Sequence, residues 1–299
     1  MEIEVTFCSV LYHHHEQIRL NKFYFERLNE SYADMPWLIT DNTPADQSVA
    51  LELPNMTLFP GIEGGLKPNL QHTLGLNQCL PSVDTRFLIV LDPDFYVVVP
   101  NWLPQLLQHM DENSLPFWGV PWHPSYANKY RYFPCVHFIV VDTDRVPIEQ
   151  LDFRPALTEG QAPYWVKLLG LEGRHQTPLD TGTLLYQRFA DRNGYPCELA
   201  TPVWRSAPET RPLKSKALDW LLPDKLAYLP KRNGYFTKQG FAELGLDIGL
   251  DPRWEEFTWR GRPFGFHMRM NIDREGRGKG DEMHRLMRSL ARATGIEYA

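Results

Sequence analysis

The 299 residues carry 43% hydrophobic and 23% charged side chains, an ordinary balance for a globular chain long enough to bury a sizeable core. A formal net charge of −6 argues against sequence-independent nucleic-acid binding as the main task. The four cysteines, Cys8, Cys79, Cys135 and Cys197, contain no CxxC pair, which excludes a zinc framework of that kind and a small disulfide scaffold. Reduced thiols and a cytoplasmic location are the expectation. The N-terminus shows no basic segment followed by an apolar one, so no signal peptide is visible. No apolar run approaches the roughly 20 residues that span a bilayer.

Residues 3–10 read as a first strand, rich in β-branched and aromatic side chains. His13, His14 and His15 follow and are read as a solvated loop. Ile18, Phe25, Leu28 and Tyr32 then recur at helical spacing. A second strand, Trp37 to Thr40, ends in the polar turn Asp41-Asn42-Thr43-Pro44, and a third is expected at Met56–Phe59. Leu66, Leu70 and Leu74 place a helix from Pro68 to Leu80. The next strand, Phe87–Leu91, runs directly into Asp92-Pro93-Asp94. This alternation predicts an α/β chain with a Rossmann-like, mainly parallel sheet and helices on both faces.

Asn101 is the expected N-cap of a helix carrying Trp102, Leu103, Leu106, Leu107 and Met110. Strands are expected at Phe117–Val120 and Val136–Val141, with an aromatic loop of Trp122, His123, Tyr126, Tyr130 and Tyr132 between them. Residues 152–179 read as an excursion over the sheet, followed by a helix from Thr181 to Arg192. Beyond residue 200 short strands and turns replace βα units: a turn at Trp259-Arg260-Gly261-Arg262, a strand from Phe264 to Met270, and a basic amphipathic helix with Met283, Leu286, Met287 and Leu290 on its apolar face. The division expected is a core of residues 1–200 and an extension of residues 201–299 packed on it.

The aspartate doublet carries the most chemistry. Carboxylates at the carboxyl edge of an open α/β sheet lie where such folds bind ligands. Mg²⁺ characteristically takes one or two protein carboxylates plus substrate phosphates. A solvent-facing Asp-Pro-Asp turn is the plainer alternative.

Taken in order, Asp41-Asn42-Thr43, Gly64-Gly65, Asn69, Asp92-Pro93-Asp94, Phe117-Trp118-Gly119-Val120, Phe138 to Asp144, and Leu179-Asp180-Thr181-Gly182 with Asn193-Gly194-Tyr195 form a series. It resembles the family-2-like glycosyltransferases with the GT-A fold, over residues 1–200. The usual acidic pair ahead of the base helix is reduced here to Asp180 alone, and nothing beyond residue 200 matches.

The resemblance implies transfer of a sugar from a nucleoside-diphosphate donor to a hydroxyl acceptor (a glycan, a lipid-linked or another alcohol), with inversion. It implies that Asp92 and Asp94 hold Mn²⁺ or Mg²⁺ at the diphosphate, one of the two, left unassigned, touching the ribose or acting through water instead. Asp41 is then the residue that reads the nucleobase, with an Asx turn as the alternative. Tyr12 packs beside the same base or in the core. Asn69 and His72, near a helix start, reach phosphate or ribose, or only cap that helix. Asp180 takes the acceptor proton, against the reading of an ordinary N-cap, with Glu159 and Glu172 as fallback carboxylates. His267 is a third metal ligand or phosphate contact, with a core histidine as the alternative, and Arg269 adds positive charge. Trp122 and the neighbouring aromatics pack on sugar rings or in the core. The basic helix docks on the domain, or lies peripherally on an anionic membrane carrying the acceptor.

Rival readings remain at this level. A sugar-nucleotide nucleotidyltransferase should carry a Gly-rich loop after strand one, and Ser9 to His15 has none. A haloacid-dehalogenase-like phosphatase should carry its Asp-x-Asp on the first core strand, followed by Thr, whereas Phe95 follows Asp94. A non-catalytic carbohydrate-binding or degenerate transferase domain also stands.

Overall fold

The computed structural model describes residues 5–62, 64–126, 129–155, 180–191, 194–208, 229–268 and 280–298. In chain order these form β1 (Val5–Leu11), α1 (His15–Leu28), β2 (Trp37–Asp41), β3 (Met56–Pro60), α2 (Pro68–Cys79), β4 (Phe87–Leu91), β5 (Phe95–Val97) and α3 (Trp102–Glu112). There follow β6 (Phe117–Gly119), β7 (Phe138–Asp142), α4 (Thr183–Tyr186), β8 (Cys197–Leu199), β9 (Thr201–Pro202), β10 (Glu255–Trp259), β11 (Arg262–His267) and α5 (Gly280–Thr294).

Seven strands make one sheet in the order β3-β2-β1-β4-β7-β6-β8. Pairing is parallel throughout β3-β2-β1-β4 and between β6 and β8, and antiparallel on either side of β7. β1, β2 and β4 are buried along their whole length, as near-continuous apolar runs require when both faces are covered. Register shows how. Phe7 and Trp37 are partners, and Phe25 of α1 lies 4.6 Å from the Phe7 ring. Val10 and Thr40 are partners three residues on, hence on the opposite face, and there they meet Gly75 of α2. The fold is therefore α/β, with a mainly parallel sheet and helices on both faces.

A second, antiparallel sheet has the order β5-β11-β10-β9. β5 leaves the aspartate turn directly, and β11 from the C-terminal third pairs with it, setting His267 opposite Phe95. Phe257, Trp259 and Phe264 join the same apolar core as β1 and β4. The β10–β11 hairpin closes through Arg260 and Gly261, both at positive φ, the type I′ pattern that suits strand twist. α5 packs Leu286 and Leu290 against Tyr24, Trp254 and Phe266. No helix among the described residues is long and apolar enough to cross a membrane.

Two local expectations are corrected. Asn101 adopts a left-handed conformation and makes no side-chain cap. The cap comes instead from Asn29, whose Oδ1 accepts from the Leu103 amide at 3.0 Å while its Nδ2 donates to the Phe25 carbonyl at 3.1 Å. One side chain thereby ties the end of α1 to the start of α3. The helix expected from Thr181 starts two residues later, after Gly182 at φ +82°, and passes into a π-helical turn at Gln187–Asp191.

Candidate functional site

The carboxyl ends of β1, β2 and β4 lie side by side, because these strands are parallel neighbours. Asp41 ends β2 in register with Leu11 of β1, and Asp92 follows β4. The aspartate turn is pinned from four sides. The Asp92 amide donates to the His137 carbonyl (3.0 Å), the Phe95 amide to Asp92 (3.0 Å), Asn21 Nδ2 to Pro93 (2.7 Å), and the Met268 amide to Asp94 (2.8 Å). Both carboxylates face histidines rather than open solvent.

Around Asp92, His72 Nε2 sits 3.3 Å from Oδ1 and His137 Nε2 3.8 Å from Oδ2. Around Asp94, His267 Nε2 lies 3.2 Å from Oδ1, while its Nδ1 lies 3.2 Å from Glu255 Oε2. The His137 and His267 rings stack at 3.9 Å. Glu255 also accepts from the Tyr126 hydroxyl. His267 thus reaches Asp94 because β11 pairs with β5, and it reaches Glu255 because the two are register partners in the β10–β11 hairpin.

The electrostatics follow from this packing. Burial opposes the charge on His267, but Asp94 and Glu255 outweigh it and raise its pKa to about 10. Burial, then the neighbouring His267 charge, lowers His137 to about 4. Glu255, against its burial, is drawn down to about 2 by His267. Burial likewise opposes Asp94, yet the His267 charge and hydrogen bond hold it well below the usual carboxylate range. Burial lowers His14, in partial opposition to the Asp94 and Asp92 charges.

One donor atom each from Asp92, His137 and His267 lies within 4.8 Å of the others. His137 Nδ1 and His14 Nε2 are buried with no hydrogen-bond partner among the described residues. Carboxylate and imidazole donors with unspent lone pairs fit a divalent cation.

Asp41 is buried and its carboxylate is occupied. It accepts from the Thr43 amide (2.9 Å), which is an Asx turn, and from Ser48 Oγ (2.8 Å), and it sits 2.8 Å from His15 Nε2. Opposing its burial, these hydrogen bonds, Thr43 foremost, lower its pKa. His15 is therefore no part of a solvated loop: it opens α1 just past β1, whose last residue, Leu11, is in register with Asp41. Tyr12 is 45% exposed at the same strand ends, with its ring edge-on to His13.

Asp180 pairs with Lys129, and its Oδ1 accepts the Thr181 amide at 3.0 Å. Thr181 Oγ1 donates to the Asn69 carbonyl (3.2 Å) and lies 3.4 Å from His72 Nδ1. The Asp180 loop is thus docked on the first turns of α2, one histidine away from Asp92. A second route runs through Trp122, which is buried, carries Lys129 Nζ 4.3 Å from its ring and meets His137 edge-on at 4.7 Å. The structure therefore gathers Asp41, His72, Asp92, Asp94, Trp122, Asp180 and His267 at one end of the sheet. Arg269, Glu159 and Glu172 lie outside the described residues.

Sequence reasoning missed His137 and Glu255 and set His14 and His15 aside. His137 fell inside the strand expected at Val136–Val141 and stands one residue ahead of β7, and Glu255 opens β10. Neither position announces a partner until the register is known.

No family model matches the sequence, and no curated protein matches it. Among solved structures the chain is similar to TarS 1–349 of S. aureus in complex with UDP-GlcNAc, at 12% identity and TM-score 0.36, covering 50% of this chain and 48% of that one. It is similar to the mannosyltransferase PcManGT of Pyrobaculum calidifontis in complex with GDP-Man and Mn²⁺, at 14% identity and TM-score 0.35, covering 48% and 46%. The mannosyltransferase Ktr4p of S. cerevisiae in complex with GDP gives 10% identity and TM-score 0.32, covering 58% and 62%. The chain spans about half the length of the first two. Likeness this distant carries no weight for function, which rests on the residues themselves.

Proposed function

We propose that the chain is a GT-A-type, nucleotide-sugar-dependent glycosyltransferase that transfers a sugar to a hydroxyl acceptor with inversion. One observation supports this above the rest: Asp92 and Asp94 meet His267 at the carboxyl edge of the sheet, beside Asp41 and the Asp180 loop. Expulsion of a nucleoside diphosphate builds negative charge that a bound Mn²⁺ or Mg²⁺ neutralises without a proton. Asp92 and His267 would hold that ion, with the Asp94 carboxylate beside it, 3.2 Å from His267 Nε2. His72, on the second turn of α2, lies 3.3 Å from Asp92 and faces the place a diphosphate would take. Asp41 and Tyr12 flank the place of the base.

Asp180 takes the proton from the acceptor hydroxyl as that oxygen attacks the anomeric carbon, and the carbon–oxygen bond to the diphosphate breaks. Lys129 pairs with this carboxylate, so the pair must open before Asp180 accepts a proton. That pairing, with the full set of donors on Asp41, supports a second reading: a binding domain without turnover. A screen of UDP- and GDP-sugars with Mn²⁺ or Mg²⁺, read by nucleotide release, separates the two. Turnover by the wild-type chain that Asp180→Asn lowers about 10²–10⁴-fold supports transfer. Thermal stabilisation by a donor without any release supports binding alone.

A further inference from the structure

We infer that His137, with His267 and Asp92, directly ligates the cation, and that Glu255 positions His267 for it, so that this site selects a transition metal over Mg²⁺. The inference deepens the proposed function and rests on reading this site as the cation site beneath a diphosphate. Five observations carry it. The three donor atoms lie within 4.8 Å of one another. Donors sharing a first-row cation sit about 2.0–2.2 Å from it, hence at most about 4.4 Å apart. Shifts of a few tenths of an ångström close the set.

His137 is 7% exposed, and its Nδ1 has no hydrogen-bond partner among the described residues. A buried nitrogen left without a partner is costly unless something else satisfies it. The main chain of His137 holds it beside Asp92, its carbonyl accepting from the Asp92 amide at 3.0 Å, and its Nε2 lies 3.8 Å from the carboxylate, beyond a direct hydrogen bond. The 24° stack with His267 lays the two imidazoles face to face, 3.9 Å apart.

Glu255 supplies what a metal-bound imidazole ordinarily has, a carboxylate on its second nitrogen that fixes the ring. It holds His267 Nδ1 at 3.2 Å and is itself held by Tyr126. Asp94 lies outside the compact triad, 3.2 Å from His267 Nε2, and complements the charge there. Two imidazoles and one carboxylate favour first-row transition metals, whereas Mg²⁺ prefers oxygen donors and keeps its waters.

The test titrates the full chain with Mn²⁺ or Mg²⁺ alone, without nucleotide, and reads bound Mn²⁺ by pulsed electron paramagnetic resonance. The expected result is directly coordinated nitrogen from two imidazoles and Mn²⁺ affinity at least about tenfold above Mg²⁺. His137→Gln should lose one nitrogen coupling. Glu255→Gln should keep both but weaken binding about 10- to 100-fold. If a variant does not fold, labelling every histidine with ¹⁵N in the wild-type chain still counts the coordinated imidazoles, and fewer than two overturns the inference. Absent nitrogen coupling, or Mg²⁺ bound as tightly as Mn²⁺, overturns the inference. Nitrogen-ligated Mn²⁺ in a chain that turns over no sugar nucleotide leaves the inference standing and removes the proposed reaction. Turnover with Mg²⁺ and no nitrogen coupling does the reverse.

Discussion

The His137 and His267 rings stack at a centroid distance of 3.9 Å, 24° from parallel, an arrangement that two cations would not tolerate. Their surroundings divide the charge. Burial and the His267 charge keep His137 neutral, with a pKa of about 4, while Asp94 and Glu255 carry His267 to about 10. In the metal-free protein His267 is thus the cation between two buried carboxylates. Replacing it, His267→Ala, leaves Asp94 and Glu255 without their counter-ion. The expected loss of stability is about 3–5 kcal/mol, measured by urea denaturation in the presence of a chelator. A loss below about 1 kcal/mol would mean that water already screens the pair.

Asp180 offers a sharper kinetic test, because its loop is anchored independently of its carboxylate. Thr183 donates to its main-chain carbonyl, and Thr181 Oγ1 holds the Asn69 carbonyl at 3.2 Å. Asp180→Asn should therefore leave the fold intact and still accept the Thr181 amide. If the carboxylate is the base, sugar transfer should fall about 10²–10⁴-fold, while donor binding by thermal shift stays unchanged. Equal activity in the variant would move the role elsewhere.

Much of this arrangement was legible in the chain, and the reason is periodicity. β1, β2 and β4 read as strands because both faces are covered and their side chains are uniformly apolar or β-branched. Asp92 and Asp94 stood out because they interrupt such a run. β5 did not, since Phe95-Tyr96-Val97 follows Asp94 directly and three residues show no period. Its partner β11 lies more than 160 residues away, and that pairing alone brings His267 to Asp94.

The same limit hid Glu255, His137 and His15, whose partners are brought to them by the pairing of strands rather than by neighbours in sequence. Asn101 was misread for a related reason: a good capping residue stood at the right place, while Asn29 reached the helix start from another element. Trp122 illustrates a third limit. Loop aromatics look alike in sequence, and only packing under Lys129 and against His137 makes this one buried.

Gly75 tests how far the site depends on the seating of α2. A Cβ there would lie 2.9 Å from Val10 Cγ2, closer than packed carbons permit, and a tight 3.2 Å from Thr40 Cβ. Both neighbours are on rigid central strands, so the helix must move. Gly75→Ala should cost about 1–3 kcal/mol through overpacking, despite the better helix propensity of alanine. His72, one turn earlier, should be displaced from Asp92, and the check is a lowered urea midpoint together with weakened Mn²⁺ binding. A stabilised variant would show that α2 sits more loosely than its contacts indicate.

Acid stability should depend on Asp251, which is remote in sequence from the aspartate turn. Its carboxylate accepts from Arg253 Nε and Nη2, each at 2.9 Å, and pairs with Arg285 of α5. The Arg253 hydrogen bonds, against partial burial, bring its pKa to about 2. A carboxylate depressed on folding contributes stability that is complete above its unfolded value near 3.8 and is lost as pH falls through the folded one. The window is therefore about pH 4 down to about pH 2. Asp251→Asn should lower stability at neutral pH and flatten the pH dependence within that window, because no proton is then taken up at this position. Urea midpoints of the two chains from pH 6 to pH 2 measure it: the curves should be separated at pH 6 and converge toward pH 2. Parallel curves over that range would assign the acid transition to other carboxylates and leave α5 held by its apolar face and by the Arg253–Glu282 pair.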